Sequence, residues 1–185
     1  GYQKMQNFKI IVPFYNCEKW IGKCIDSIKN QDYRNFHCYL IDDMSTDNSK
    51  QVALAKIDEK FTYISNTEKK FKLRNFYECV HSFCEDEDVI VEVDGDDWLA
   101  STKVLSTLNK RYDETGCWIT YGSYVDYPSM KRGMYARELP ADIITDRDYR
   151  KYHWVTSHLR TFKSFLFKGI DKEDLMIDEK FFDTT

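Results

Sequence analysis

Short β-branched runs alternate with amphipathic helical segments between Phe8 and Tyr121 of this 185-residue chain. The predicted strands are residues 8–12, 36–41, 61–65, 89–93 and 117–121, with a further candidate at 123–127. The predicted helices are residues 17–31, a segment capped by residues 45–47, and residues 73–83 and 101–112. Such alternation is typical of βαβ units, whose parallel strands share one sheet. We therefore predict an α/β fold with a mostly parallel sheet.

Composition excludes several classes of protein. The chain has 27 Lys and Arg against 31 Asp and Glu, so its net charge of −4 argues against an electrostatic nucleic-acid binder. No apolar run approaches the roughly 20 residues needed for a transmembrane helix. The six Cys form no C-x-x-C pair, and no secretory signal precedes them. We expect buried free thiols and a soluble cytoplasmic protein, with peripheral membrane association still open.

Polar residues follow three of the predicted strands. Residues 13–16 follow the first strand, Asp42 and Asp43 follow the second, and residues 94–97 follow the fourth. Ligands of open α/β sheets bind beyond the carboxyl ends of the strands. We therefore expect the three clusters to converge on one ligand site.

The acidic cluster after the fourth strand predicts a metal site. Asp94, Asp96 and Asp97 share a turn that contains Gly95. Carboxylates packed this closely repel one another unless a cation lies between them, and hard oxygen ligands suit Mg²⁺ or Mn²⁺. The alternative is a solvated acidic turn, because short motifs often arise by chance.

The other clusters also have structural alternatives. Asp42 and Asp43 are common residues in turns and helix caps. Tyr15 is either a core aromatic or a ring on which a nucleobase stacks. The sequence lacks G-x-G-x-x-G, the P-loop and G-x-S-x-G, which argues against a dinucleotide-binding fold, a P-loop NTPase and an α/β-hydrolase.

Four segments resemble motifs of the GT-A glycosyltransferases, specifically the inverting family 2. Residues 10–16 (IIVPFYN) are similar to that family's opening motif, and residues 28–31 (IKNQ) to the end of its first helix. Residues 42–49 (DDMSTDNS) resemble its D-D-x-S-T-D-x-S motif, and residues 93–99 (VDGDDWL) its D-x-D-D motif. The resemblance covers nearly the whole chain. It implies a GT-A, Rossmann-type α/β fold, a mostly parallel sheet flanked by helices.

The resemblance implies a donor site for a nucleotide-diphosphate sugar, most often a UDP-sugar. In that reading Pro13 and Tyr15 line the nucleobase pocket, Asp43 binds the base, and Asp94 faces the ribose or a metal-bound water. Arg74, in a segment similar to the family's A-R-N, lies near the donor. The sequence departs from the family pattern just before it, where residues 69–71 (KKF) replace small residues.

The resemblance also implies the catalytic roles. Asp96, with Asp97, holds Mn²⁺ or Mg²⁺ against the diphosphate. His158 and Arg160 contact the diphosphate or the acceptor, although a structural strand is an alternative for their segment. The base that deprotonates the acceptor hydroxyl comes from the C-terminal part. Asp178 and Asp183 are the candidates within the chain, and the count of residues also allows a base beyond Thr185.

We expect a single glycosyltransferase domain over residues 1–185. Residues 8–127 are its nucleotide-sugar-binding half, and residues 128–185 a partial acceptor-side half that packs on one side of the sheet. The sequence leaves open whether the chain is a fragment of a longer protein. The expected partners are a nucleotide-sugar donor and a glycan, lipid or protein acceptor. The alternatives are a nucleotide-sugar-binding module without transferase activity and a sugar nucleotidyltransferase.

Overall fold

The computed structural model describes residues 3–116, 119–121, 160–177 and 180–181. Its strands are β1 (Phe8–Phe14), β2 (Phe36–Asp42), β3 (Phe61–Ser65), β4 (Val89–Glu92), β5 (Ile119–Tyr121), β6 (Arg160–Lys163), β7 (Met176–Ile177) and β8 (Lys180–Phe181). Its helices are α1 (Ile21–Lys29), α2 (Ser49–Leu54), α3 (Phe71–Phe83), α4 (Val104–Thr115) and α5 (Ser164–Lys168), with a 3₁₀ turn at Lys172–Leu175.

Six strands form the main sheet, in the order β3-β2-β1-β4-β6-β5. The first four are parallel to one another, and β6 is antiparallel to both β4 and β5. The strand order reverses between β1 and β4, which makes the carboxyl ends of these two strands the expected ligand crevice. The predicted mostly parallel α/β sheet is confirmed.

Apolar residues cover both faces of the sheet. Alternate residues of β1 belong to two hydrophobic clusters, one on each face of the sheet. Ile10 and Val12 pack in one cluster with Ile25 of α1 and Leu105 of α4. Ile11 packs in the other, beside α3. Side chains alternate between the two faces of the strand, and each helix buries one apolar stripe. The strands and helices therefore pack into a layered core. This core holds the ends of β1, β2 and β4 at one edge.

Several predicted boundaries are wrong by a few residues. Pro13 belongs to β1 rather than to the loop after it, and it lies opposite Ile41 of β2. A proline is tolerated there because β4 pairs with β1 only as far as Ile11, so no neighbour on that side needs the missing N–H. α1 and α4 begin four and three residues later than predicted, at Ile21 and Val104, without side-chain caps.

The C-terminal part contributes a strand to the sheet itself. β6 lies between β4 and β5, with Ile90 opposite Phe162. The expectation that residues 128–185 pack on one side of the sheet is therefore wrong for this segment. The candidate strand at 123–127 lies outside the described residues. Within the described part of the chain, no helix has both the length and the apolar character that crossing a membrane requires.

Candidate functional site

A pocket of about 230 Å³ opens at the carboxyl ends of β1 and β2, beside the start of α3. Its walls are Pro13, Phe14, Tyr15, Asp43, Lys69, Phe71, Lys72 and Asn75. Three of the residues predicted to bind a nucleotide, Pro13, Tyr15 and Asp43, are therefore brought together.

Asp43 is buried in the floor of this pocket and is held by three hydrogen bonds. Its Oδ1 accepts from the backbone N–H of Lys70 at 2.8 Å and from Asn66 Nδ2 at 2.9 Å. Its Oδ2 accepts from the backbone N–H of Phe71 at 2.8 Å. The N–H groups of residues 70 and 71 begin α3 and lack partners within the helix. Asp43 thus caps a helix, as one of its structural alternatives predicted, while its carboxylate also faces the pocket.

The surroundings of Asp43 keep it ionised. Burial raises its pKa, but the hydrogen bonds from Lys70, Asn66 and Phe71 and the nearby Lys69 ammonium outweigh burial and lower the pKa below its ordinary value of 3.8. An ionised carboxylate only accepts hydrogen bonds, and it has about four acceptor positions. Oδ2 therefore keeps the capacity to accept one N–H from a ligand.

Two exposed aromatic rings flank the mouth of the pocket. Tyr15 is 47% exposed and Phe71 is also 47% exposed, so neither is a core aromatic. The Lys69 Nζ atom lies 3.4 Å from the centroid of the Tyr15 ring and 5.4 Å from that of Phe71. Exposed rings at a concave site suit stacking with a planar ligand.

The loop that carries Tyr15 is fastened to the loop after β2. Asn16 Oδ1 accepts from the backbone N–H of Thr46 at 2.7 Å and of Asp47 at 3.2 Å, and the Asn16 backbone N–H donates to Ser45 Oγ at 3.0 Å. Residues 45–47 were predicted to cap a helix, and Asp47 does so: its Oδ1 accepts from the backbone N–H of Ser49, the first residue of α2, at 2.9 Å. The same segment also holds Asn16, the residue after Tyr15.

Backbone strain is concentrated around the pocket. Among the described residues, three non-glycine residues have positive φ: Asn16 (51°), Met44 (71°) and Phe71 (63°). They follow Tyr15, Asp43 and Lys70 directly. Left-handed backbone is unfavourable for residues with a Cβ, and such strain clusters at functional sites.

The acidic cluster lies in the turn after β4. One carboxylate oxygen from each of Asp94, Asp96 and Asp97 lies within 4.8 Å of the others, which suits a shared cation. The turn packs under the end of β1, so that a Cβ atom on Gly95 would be 2.4 Å from the Cβ atom of Phe14. Glycine is therefore required here for close approach.

Lys72 connects the pocket to the acidic cluster. It lines the pocket, and its Nζ lies 2.9 Å from Asp94 Oδ1 and 3.2 Å from Glu92 Oε1. Burial lowers the pKa of Lys72, but Asp94 and Glu92 outweigh burial and raise it. A positive charge thus lies between the pocket and the carboxylates.

The remaining predicted residues lie elsewhere. Arg74 is not among the residues that line the pocket, and its guanidinium instead binds Glu68 and Glu78, each at 2.9 Å. Arg160 begins β6 opposite Glu92, at the edge of the sheet where β4 ends. Its segment forms a strand from Arg160 onward, and a contact of Arg160 with the diphosphate or the acceptor stays a prediction. His158, Asp178 and Asp183 lie outside the described residues.

Four residues of the pocket were missed by the sequence reasoning: Lys69, Phe71, Lys72 and Asn75. The departure of residues 69–71 from the family pattern was the available signal, since it marks the segment that lines the pocket. The five cysteines within the described residues offer no nucleophile among these groups, because Cys24, Cys38, Cys79 and Cys84 are buried, and burial raises the pKa of the Cys17 thiol to about 11. Cys117 lies outside the described residues.

Comparison with known proteins gives one consistent family. Residues 9–174 match the family model for Glycosyl transferase family 2. The glycosyltransferase GlyA of Streptococcus pneumoniae is 28% identical over 148 residues, which cover 76% of this chain and 20% of GlyA. The chain therefore spans only a fifth of the length of that relative.

Solved structures share the fold. S. aureus TarS 1-349 in complex with UDP-GlcNAc has a TM-score of 0.63 at 21% identity, covering 92% of this chain and 48% of that one. The mannosyltransferase PcManGT from Pyrobaculum calidifontis, in complex with GDP-Man and Mn²⁺, has a TM-score of 0.61 at 18% identity, covering 86% and 45%. The predicted GT-A fold is confirmed, and, because the family match covers most of the sequence, the chain belongs to glycosyl transferase family 2.

Proposed function

We propose that this chain is the donor-binding part of a metal-dependent glycosyltransferase, which moves a sugar from a UDP-sugar to an acceptor hydroxyl with inversion. The observation that carries the proposal is the continuity of the pocket and the acidic cluster. Lys72 lines the first and contacts Asp94 of the second at 2.9 Å. The pocket, the Lys72 ammonium and the three carboxylates lie in that order. This order fits the nucleoside, the diphosphate and the metal ion that accompanies the diphosphate of a nucleotide-diphosphate sugar.

The base is bound by the end of the pocket near β1 and β2. Asp43 accepts an N–H of the base, and the exposed Tyr15 ring provides a face for stacking. Pro13 forms the wall beside them.

The carboxylates of the D-x-D-D turn fit a divalent cation. Three oxygens within 4.8 Å of one another, in a turn held by Gly95, are hard ligands of the kind that Mg²⁺ and Mn²⁺ prefer. When bound, such an ion stabilises the negative charge that gathers on the diphosphate leaving group. Asp96 and Asp97 would hold it, while Asp94 is shared with Lys72 and faces the ribose.

The residues of this chain also set the electrostatics of transfer. Lys72 contributes a positive charge beside the leaving group, and the ionised Asp43 fixes the base at the other end of the donor. A general base must remove the proton of the acceptor hydroxyl as it attacks the anomeric carbon. Asp178 and Asp183 are the sequence-based candidates, and Arg160 and His158 those for contacts to the diphosphate or the acceptor.

A thermal-shift screen of UDP-, GDP- and CDP-sugars, with Mn²⁺ or with EDTA, tests the donor site. We expect UDP-sugars with Mn²⁺ to raise the melting temperature most. Asp96→Asn should lose the part of the shift that depends on Mn²⁺. Asp86→Asn is the matched control, because its carboxylate is 71% exposed and bound to Lys168 outside the cluster. Stabilisation by GDP or CDP alone would contradict the uracil assignment.

Release of UDP from the donor then separates a transferase from a binding module. We expect wild type with Mn²⁺ to release UDP, slowly to water and faster with a glycan acceptor, and Asp96→Ala to release much less. Tight UDP-sugar binding without any release would favour the non-catalytic alternative. The family match already weighs against a sugar nucleotidyltransferase.

A further inference from the structure

The nucleotide pocket contains an ammonium group beside the carboxylate of Asp43. Lys69 Nζ lies 3.6 Å from Asp43 Oδ2, donates a hydrogen bond to the Asp43 carbonyl oxygen at 3.3 Å, and covers the Tyr15 ring at 3.4 Å. An ammonium is a donor without acceptor capacity. Lys69 therefore provides hydrogen-bond donors on the Oδ2 side of Asp43.

A second donor lies on the Oδ1 side. Asn66 Nδ2 donates to Asp43 Oδ1 at 2.9 Å and to Asn75 Oδ1 at 2.8 Å. Because the carboxylate of Asp43 fixes the orientation of the Asn66 amide, it also fixes that of Asn75. The Asn75 Nδ2 group is then left buried at the pocket wall with no partner among the described residues. A buried donor without a partner costs free energy unless a ligand satisfies it.

We propose that Lys69 and Asn75 read the two keto oxygens of a uracil base, on either side of the N–H that Asp43 accepts. This inference rests on the proposed donor site and adds the residues that give it base specificity. In this proposal a donor of Lys69, the acceptor of Asp43 and a donor of Asn75 together complement an imide edge.

Other bases do not match this order. Uracil presents a keto oxygen, an N–H and a second keto oxygen along one edge. Guanine presents a keto oxygen, an N–H and an amino group, so one protein donor would face another donor. Cytosine presents an amino group, which would face the donor of Lys69 or Asn75. Its unprotonated ring nitrogen would face the Asp43 carboxylate. Both contacts are unfavourable. Unpaired buried donors of this kind give strong discrimination between ligands.

Entry of the base requires only a local shift of Lys69. The ammonium now shares the space between the Tyr15 and Phe71 rings, at 3.4 and 5.4 Å from their centroids. A planar base on the Tyr15 ring displaces it from the ring face. The flexible stem of Lys69 and its contacts with Asp43 keep the ammonium at the edge of the base, where the keto oxygen lies.

Calorimetric titration of the full chain with UDP, GDP and CDP, at one Mn²⁺ concentration, tests this inference. The three ligands share the diphosphate, so the ratio of their dissociation constants isolates the base. We expect wild type to prefer UDP, and Lys69→Met to lower the UDP-to-CDP preference about tenfold, as expected for a hydrogen bond with a charged donor. Asn75→Asp, which keeps the oxygen that Asn66 contacts, should lower it as well.

Lys70→Met is the matched control. Lys70 Nζ binds Glu78 at 2.8 Å, and only its backbone N–H contacts Asp43, so this variant should keep the wild-type ratio. An unchanged ratio in Lys69→Met, equal weakening of all three ligands, or an equal effect of Lys70→Met would overturn the inference while leaving the donor site intact. So would a wild type that binds GDP or CDP as tightly as UDP. If wild type binds none of the three, the proposed function itself fails.

Discussion

Gly95 lies directly beneath Phe14, so that a Cβ atom at residue 95 would be 2.4 Å from the Cβ atom of Phe14. Phe14 ends β1, and Gly95 lies in the turn that follows β4. The contact therefore brings the acidic turn against the strand that leads to Tyr15. The distance between the pocket beside Tyr15 and the carboxylates depends on the absence of a side chain at this one position.

Gly95→Ala should separate the two halves of the site. The added methyl meets a Cβ that is fixed to the backbone, so the turn must move, and overpacking of this kind costs about 1–3 kcal/mol of unfolding free energy. We expect urea denaturation to show this loss and Mn²⁺ to stabilise the variant less than wild type. Gly169→Ala is the control, since its nearest heavy atom is 3.4 Å away and its stability should hardly change. Equal behaviour of the two variants would contradict the expected role of Gly95.

Lys72→Met should change metal and nucleotide binding in opposite directions. The substitution leaves Asp94 and Glu92 without the ammonium that now lies 2.9 and 3.2 Å from them. More negative charge at the cluster should strengthen Mn²⁺ binding, while UDP in EDTA should bind about tenfold more weakly because a charged partner is lost. Calorimetry measures both. Lys110→Met, on the exposed surface of α4, should change neither. Weaker Mn²⁺ binding by Lys72→Met would be the opposite of this expectation.

Substitutions of Asn16 should separate hydrogen bonding from backbone strain. Asn16→Gly removes the bonds to the N–H groups of Thr46 and Asp47 but suits the φ of 51°. Asn16→Ala removes the same bonds and keeps an L residue in left-handed backbone, at a cost of about 1 kcal/mol. We expect stability in urea to fall in the order wild type, glycine variant, alanine variant. An alanine variant as stable as the glycine variant would show that the strain is relieved elsewhere.

Asp43→Asn should destabilise the chain in a pH-dependent way. The pKa of Asp43 is lower in the folded chain than its ordinary value of 3.8, so its contribution is complete above that pH and is lost as the pH falls through the lower folded value. At pH 7 the variant should lose about 1–3 kcal/mol, because an amide group then faces the N–H donors of α3.

The difference between wild type and Asp43→Asn should therefore shrink below pH 3.8 in urea denaturation. Asp26→Asn breaks a surface ion pair with Lys56 and should cost less than about 1 kcal/mol at pH 7. A difference for Asp43→Asn that stays constant down to the acid transition would show that its carboxylate is not the ionised group described above.

The layered fold and the place of the site could be predicted from local patterns. Strand periodicity and helix stripes report which side of each element is buried, and this was enough to predict a parallel sheet with helices. Asp43 directly follows β2 and Asp96 lies in the turn after β4, and the carboxyl ends of parallel strands share one edge. Their convergence therefore needed no knowledge of long-range contacts, whereas the structure was needed to show that Tyr15 is exposed rather than a core aromatic.

Other features depended on residues that are far apart in the chain. β6 lies between β4 and β5 because Phe162 pairs with Ile90 and Ile119, a register that no local pattern reports. Arg74 was placed near the donor by its motif. In the structure Glu68 and Glu78 bind its guanidinium, because α3 points it away from the pocket and Lys72 toward it.

By itself the sequence determined the α/β class, the edge of the sheet at which the pocket lies and the acidic turn, since these follow from periodicity and from polar residues that end strands. Only the tertiary structure decided which side chains face one another there. Lys69 meets Asp43, and the Asn75 Nδ2 group is left without a partner among the described residues, because the end of β2 and the start of α3 are packed together. Whether donors and acceptors face one another depends on atomic positions across the junction of β2 and α3. The spacing of residues along the chain does not specify these positions.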